Sequence, residues 1–356
     1  MNCKPFFIFL FLICIVLTAL TCKKEPPVVP PSPPPSGPDT TSHNFTFTQY
    51  TFGGAGGSSY FKDVAIINDT DIWAVGAIYT AADTTYNAAH WNGRAWSLKK
   101  ISANFRGNFI TTTMEGIFAF SSTDIWLAAS DPIHGDGQNW VDYDIRSIPG
   151  YDSLSVSKCW GTTSNMMYFV GRGGSIIRYN GTTWTKQSSG TTIDLRDVWG
   201  TADGSVVWAC GYSNDNSQSV LLKYDGSSWQ TVWSSHPSAP PYGGLIISLW
   251  GGQHLYLAGT DGIFRQAIAG EDSVVHLFSL THFPYRLKGS SENNIAFVGD
   301  FGMIWHYNGT DWKQLNETAL DQPLYSVAVS TNAIVSVGSD YSSFPNTALI
   351  YVGRRQ

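Results

Sequence analysis

A short phrase returns along this chain at intervals of roughly 40 to 50 residues, and it restricts the possible folds more than any other feature. Its fullest copy reads Asp71-Ile72-Trp73-Ala74-Val75-Gly76 followed by Trp91-Asn92-Gly93-Arg94-Ala95-Trp96. It comes back as Tyr168-Phe169-Val170-Gly171 with Tyr179-Asn180-Gly181-Thr182-Thr183-Trp184. Two more copies are Val207-Trp208-Ala209-Cys210-Gly211 with Tyr224-Asp225-Gly226-Ser227-Ser228-Trp229, and Ala296-Phe297-Val298-Gly299 with Tyr307-Asn308-Gly309-Thr310-Asp311-Trp312. A β-rich repeat of this period is one blade of a propeller, because a single unit cannot bury its own apolar faces and must stack on its neighbours.

The residue closing the second strand of each copy gives a count: Gly76, Ala129, Gly171, Gly211, Gly259, Gly299 and Gly338, separated by 53, 42, 40, 48, 40 and 39 residues. The expectation is an all-β, seven-bladed propeller of four-stranded antiparallel blades. The last copy supplies only three strands, near 325–329, 333–337 and 348–352. The missing one is available at the other end, in the alternating stretch Phe45 to Phe52. Residues 45–52 are therefore expected to pair with 347–352, leaving no open edge at the join.

Asn-Gly or Asp-Gly between apolar strands is a strong hairpin signal. It occurs at Asn92-Gly93, Asp136-Gly137, Asn180-Gly181, Asp225-Gly226 and Asn308-Gly309, and type I′ turns are the expected geometry. The Trp three places after each Gly (Trp96, Trp140, Trp184, Trp229 and Trp312) is expected to plug the seam between blades. Ala269-Gly270 in the fifth copy lacks it. This pattern, over about residues 44–356, resembles the Trp-rich propeller repeats of bacterial secreted proteins, loosely related to kelch and Asp-box propellers. The Ser and Asp of an Asp box are replaced, for example by Ile177 and Tyr179, so the resemblance brings no catalytic residues with it.

The first 25 residues give an address. Lys4 precedes an apolar run from Pro5 to about Leu20, which ends in Ala19-Leu20-Thr21-Cys22-Lys23-Lys24. Such a run has the length and flanks of a signal peptide rather than a spanning helix. It resembles a bacterial lipoprotein signal of the Bacteroidota type, which implies cleavage after residue 21 and a lipid on Cys22. Eight of the 17 prolines fall in residues 26–38, an extended stalk of about 40 Å at about 3.1 Å per residue. The expected organisation is a signal peptide at 1–21, a lipidated Cys and Pro-rich linker at 22–43, and the propeller at 44–356. The chain is then held at the cell envelope, on the outer membrane, through its lipid alone. Only Cys159 and Cys210 lie beyond the leader and linker, both in apolar runs, so a disulfide framework is excluded and buried thiols are expected.

A net charge of −6, with 13% charged residues and no basic block, gives no footprint for nucleic acid. His43, His90, His134, His236, His254, His276, His282 and His306 are scattered, without a metal-binding motif. No nucleophile elbow or phosphate loop is present, so no cofactor, metal or catalytic set is expected.

Two groups of residues are candidates for a site. Long connections at 77–89, 102–113, 143–155, 212–219, 233–245 and 339–347 all belong on one face, and binding residues concentrate on loops held by a rigid scaffold. They carry Tyr79, Tyr86, Tyr151, Tyr212, His236, Tyr242 and Tyr341. Aromatic side chains beside small polar ones suit protein or glycan recognition. The second group, Lys62, Asp63, Glu115, Lys158, Arg196, Asp197 and Arg286, falls at the starts of the innermost strands and is expected to ring the channel mouth, mostly as structural ion pairs. The leading expectation is a monomeric, non-enzymatic binding or scaffold propeller. A glycan-active enzyme using Asp63, Glu115 and Asp197 is the first alternative, and a structural envelope protein without ligand the second.

Overall fold

The computed structural model describes residues 40–81, 84–105, 107–235, 240–269, 273–316 and 321–356. The leader and stalk, including Cys22, lie outside the described residues, as does His236. Among those described, the strands form seven four-stranded antiparallel sheets and one two-stranded hairpin, Ala103–Phe105 with Asn108–Ile110. The innermost strands of blades 1 to 7 are Tyr60–Asn68, Gly116–Ser121, Val156–Thr163, Leu195–Gly200, Ile246–Gly251, Pro284–Ser291 and Leu324–Val329. Each touches the next and the seventh touches the first, so the ring closes. Phe45–Phe52 supplies the fourth strand of blade 7, in register from Phe45 opposite Arg355 to Phe52 opposite Ala348. The join between chain ends is therefore a full antiparallel ladder, slightly longer toward the C-terminus than expected.

The glycine ending each second strand has a specific cause. In six blades the innermost strand opens with a β-bulge, an extra residue inserted opposite that glycine. The bulge drives a carbonyl into the space where a Cβ would sit, 2.2 Å away at Gly76, 2.0 Å at Gly171 and 1.9 Å at Gly211. Blade 2, which has Ala129 instead, starts its innermost strand at Gly116, and no innermost residue pairs with Ala129. Alanine is tolerated where the bulge is missing.

The Asn-Gly and Asp-Gly turns depart from type I′. Only the glycines have positive φ, +88° at Gly93 and +92° at Gly181, whereas type I′ needs it at two successive residues. The strands close one pair further out, Trp91 opposite Trp96, and span a four-residue loop. The Asn or Asp side chain accepts N–H bonds two and three residues on, as Asn92 does from Arg94 and Ala95 at 3.0 Å each. Side-chain capping, not the mirror-image turn, selects these residues.

The seam tryptophans reach the preceding blade. Trp140 meets Trp73 with centroids 5.9 Å apart, Trp184 meets Trp126 at 6.2 Å, and Trp229 meets Tyr168 at 6.2 Å. Trp229 is buried while Trp96, Trp140, Trp184 and Trp312 are half-buried. Blade 5 caps its seam by backbone instead: the Ile268 carbonyl accepts the Trp208 indole N–H and the Ala269 carbonyl accepts Lys223 Nζ.

The histidines are less scattered than the sequence suggests. His90, His134, Arg178, Lys223, Arg265 and His306 occupy one third-strand position, each opposite a fixed second-strand position. His90 stacks on Trp73 at 4.3 Å and His134 on Trp126 at 4.2 Å. Asp71 and Asp124 each hold a histidine Nε2 at 2.9 Å, and Asn294 does the same for His306. Burial lowers the His306 pKa to about 3, and His43 and Arg355 beside it act in the same sense. These are cross-strand packing pairs repeated by blade.

Candidate functional site

The bulges decide what faces the channel. The residue left unpaired by each bulge is Lys62, Ser157, Arg196, Ile247, Tyr285 or Tyr325, and Glu115 precedes the innermost strand in blade 2. A bulge re-aims the side chain it carries. All seven line one cavity of about 210 Å³ at the long-loop end of the channel, together with Lys158, Tyr212 and Arg286. Six blades thus contribute their bulge residue and blade 2 the residue before its strand, and no two neighbours contribute the same chemistry except Tyr285 and Tyr325.

One residue further along each strand lies a buried belt. Asp63 of blade 1 accepts from Ser326 Oγ of blade 7 at 2.6 Å, from the Ile117 N–H of blade 2 at 3.1 Å, and from Lys158 Nζ of blade 3 at 2.9 Å. Asp197 of blade 4 accepts from Ser248 Oγ and the Leu249 N–H of blade 5, and from Arg286 Nη1 (2.7 Å) and Lys288 Nζ (3.0 Å) of blade 6. The two carboxylates, in blades 1 and 4, therefore take donors from all five remaining blades. Burial alone would raise both carboxyls; Lys158 and Arg286 more than offset it at Asp63, and Arg286 and Lys288 do so at Asp197, leaving both below the usual range. Burial brings the Lys158 ammonium down to about 8, with Arg286 acting in the same direction against Asp63.

Beyond the belt the channel changes character. A second cavity, about 290 Å³, is lined by Trp160, Trp199, Trp250 and aliphatic side chains such as Val64, Ile66 and Val327. Trp160 lies against Gly200 and Trp199 against Gly251, where an added Cβ would come within 2.4 Å of the ring in both cases. Each Trp of blades 3 and 4 thus requires a glycine in the next blade.

The expected site residues separate accordingly. Lys62, Glu115 and Arg196 stand at the mouth. Asp63, Lys158, Asp197 and Arg286 belong to the belt, one layer deeper, although Lys158 and Arg286 also reach the cavity. Among the loop residues, Tyr212 lines the cavity, with Arg196 over its ring at 4.5 Å. Tyr341 is 47% exposed and shares a 2.6 Å hydroxyl contact with Tyr325. The others do not line this mouth. Tyr79 and Tyr86 sit half-buried in strands Asp71–Ala81 and Thr84–Trp91, which occupy most of the stretch taken as a loop, and Tyr86 packs on the blade 1 core. Tyr151 binds backbone, its hydroxyl accepting the Lys186 N–H at 2.8 Å. Tyr242 is a core residue, 3% exposed, set edge-on to Trp233 and Phe264 and donating to Gln266.

Sequence reasoning missed Tyr285 and Tyr325. Their rings meet at 5.3 Å, Phe283 lies 5.3 Å from Tyr285 and 6.1 Å from Tyr212, and Lys62 Nζ lies over Tyr325 at 5.4 Å. The result is a continuous aromatic arc between two basic side chains. The signal that finds them is alignment to the terminal glycine with one residue of bulge allowed. Among the described residues no group of three or more His, Cys, Asp or Glu side chains is arranged to hold a metal. Cys159 and Cys210 are free buried thiols, and burial pushes both pKa values up.

Fold and site together define a seven-bladed β-propeller with a belt of ion pairs inside its channel and a polar, aromatic mouth. No protein-family model matches the chain, and no curated protein matches it in sequence. Solved propellers superpose over nearly their whole length at low identity. YCF48 bound to D1 peptide has a TM-score of 0.61 at 13% identity, covering 89% of this chain and 99% of that one. A virginiamycin B lyase from Staphylococcus aureus has a TM-score of 0.63 at 10% identity, covering 88% and 100%. The WD40 propeller domain of Doa1 has a TM-score of 0.60 at 10% identity, covering 87% and 98%. Neighbours this distant share the fold alone.

Proposed function

We propose that the protein is a non-enzymatic recognition propeller that binds a segment of another protein at the long-loop mouth of its channel. The observation that carries this reading is the convergence of one side chain from every blade on a single cavity, different in kind from blade to blade except for Tyr285 and Tyr325, which belong to the aromatic arc. Concave, partly aromatic cavities with a few placed polar groups are the usual form of a binding site. A propeller neighbour solved with a peptide supports a peptide-like ligand over a glycan.

Of the three carboxyls of the enzymatic alternative, only Glu115 stands at the mouth rather than in the belt. Glycoside hydrolysis needs two carboxyls facing one space, one of them kept protonated. Asp63 and Asp197 are both buried in ion pairs and held below the usual range, which favours the ionised form of each. The Trp-rich repeat and the leader together support an envelope address for this propeller, monomeric and carried on the outer membrane by a lipid on Cys22 after removal of residues 1–21. The lipid would supply the membrane contact. Cys22→Ser should then release the protein into the soluble fraction; unchanged retention in the membrane would refute the anchor.

The binding reading is tested by affinity capture from envelope extract. Wild-type protein and the charge-reversed mouth variants Lys62→Glu and Arg196→Glu are compared with a short-turn-face variant, Arg94→Glu. A partner retained by wild type and Arg94→Glu but lost from both mouth variants is the expected result. A partner lost only from Arg94→Glu would put binding on the opposite face, and ligands found only on a glycan array would replace a protein partner with a sugar.

A further inference from the structure

We propose that the mouth cavity contains a subsite for a single carboxylate, held by Arg286, Arg196 and Lys62. This rests on the binding reading above and names the chemistry of the group that enters. Four cationic side chains, Lys62, Lys158, Arg196 and Arg286, line the cavity against one carboxylate, Glu115. Lys158 is committed to Asp63 and to the Glu115 carbonyl. Arg286 is 5% exposed and spends its Nη1 on Asp197, yet its Nε is buried with no partner among the described residues. Arg196 repeats the pattern: its Nη2 donates to Asn214 at 2.6 Å and lies 3.6 Å from an Asp194 carboxylate oxygen, and its Nε is likewise buried and unpartnered. Lys62 rests over the Tyr60 and Tyr325 rings and forms no salt bridge among the described residues.

A buried N–H left without an acceptor is costly, and on a guanidinium the cost is larger still. Both arginines line the one small cavity, so an acceptor entering it from outside the chain is the group they are built to receive. The acceptor with two oxygens and one negative charge is a carboxylate, which the guanidinium fork matches geometrically. Glu115 on the same wall selects against a dianion such as phosphate, because a second charge on the ligand meets a like charge. The aromatic arc of Tyr212, Tyr285 and Tyr325 leaves an apolar wall for the stem that carries the carboxylate. Such a group comes from an acidic side chain or from a chain end, and the two share the same head.

Equilibrium dialysis on the purified full-length protein separates these sources. The probes are N-acetylglutamate amide (side-chain carboxylate), N-acetylglutamine with a free α-carboxylate (chain end), N-acetylglutamine amide (neutral) and inorganic phosphate, all at one ionic strength. At least one carboxylate probe is expected to saturate at one per chain, the neutral amide to show no saturable uptake, and phosphate to bind more weakly. Lys62→Gln and Arg196→Gln should each weaken the carboxylate by about tenfold or more. Arg286→Lys keeps a charge for Asp197 but has no Nε–H. It should lose binding at a temperature where circular dichroism shows the variant fully folded, whatever its melting temperature, which separates a ligand contact from a structural one.

Saturation by the neutral amide, tighter binding of phosphate, or carboxylate binding unchanged in Lys62→Gln and Arg196→Gln would overturn the subsite, as would no saturable carboxylate uptake. A protein partner captured at the mouth with no carboxylate binding would sink this inference alone. Carboxylate binding with no partner captured would sink the protein-recognition reading instead.

Discussion

The two ends of the channel are built from the same seven strands and differ in how strictly they repeat. At the lower end successive blades offer Trp160-Gly161, Trp199-Gly200 and Trp250-Gly251, and the rings of blades 3 and 4 each lie on the next blade's glycine. At the upper end the corresponding side chains are lysine, glutamate, serine, arginine, isoleucine and two tyrosines. This repetition runs through blades 3 to 5, where neighbouring blades solve the same packing problem, while Ala65, Phe118, Lys288 and Ala328 take the position in the other four. Its loss, at a position the bulges hold in common, marks where the molecule is free to be specific. Between the two lies the belt, which is neither: its two carboxylates gather donors from all the other blades and resist change for electrostatic reasons.

That division predicts a gradient of mutational effects. The largest belongs to the belt. Asp197→Asn leaves Arg286 and Lys288 without their counter-ion in a buried site, and breaking a buried pair from one side costs about 3–5 kcal/mol. Chemical denaturation measures it, and a loss below 1 kcal/mol would show that the belt does not hold the ring.

The lower end comes next. Gly200→Ala puts a methyl 2.4 Å from the Trp160 ring and should cost about 1–3 kcal/mol by overpacking. In the upper strand ends, Gly76→Ala should be at least as damaging because the obstacle there is the Tyr60 carbonyl, whereas Ala129→Gly, with no bulge opposite, should cost about 1 kcal/mol or less. Equal losses at 76 and 129 would break the link between bulge and glycine.

Much of this was legible in the sequence, and what was not has identifiable causes. Blade number, strand order and closure follow from the glycine spacing and from Phe45–Phe52, because a chain of repeats must pair its last open edge. The bulge was invisible, since one inserted residue does not disturb a period of about 40 residues. Asp63 and Lys158 were therefore aligned with Lys62 as a single ring when they form a lower layer. Tyr242 was taken for a loop residue because it stands outside the repeat; the segment folds back so that its ring meets Trp233 and Phe264. Tyr242→Ala should accordingly cost about 3–5 kcal/mol, as deletion of a buried aromatic does, and not the negligible change expected of a loop tyrosine.

The pH dependence of stability sharpens the contrast between belt and mouth. Asp63 and Asp197 have folded pKa values below their unfolded ones, so their contribution is fully present above about pH 4 and is lost as pH falls through the folded values. Lys158 titrates near 8 when folded and higher when unfolded, so the unfolded chain binds more protons in that window and this group makes stability rise with pH between them. Asp63→Asn should flatten the acid limb measured by denaturation as a function of pH. Lys62→Gln should leave it unchanged.

The smallest effects on stability are expected at the mouth. Lys62→Gln and Tyr341→Ala touch exposed or half-exposed groups and should stay within about 0.5 kcal/mol, while reducing capture of a partner. A large loss of stability from either would return the upper ring to the structural class and remove the reason to call it a site.

Site-specific photo-crosslinking in living cells tests the central claim most directly. A benzophenone amino acid replaces Tyr341 beside the cavity or Arg94 in a short turn of the opposite face. The account predicts a discrete crosslinked protein from position 341, lost when Lys62→Glu and Arg196→Glu are added, and none from position 94. Crosslinks from 94 alone, or from 341 undiminished by those two changes, would contradict it.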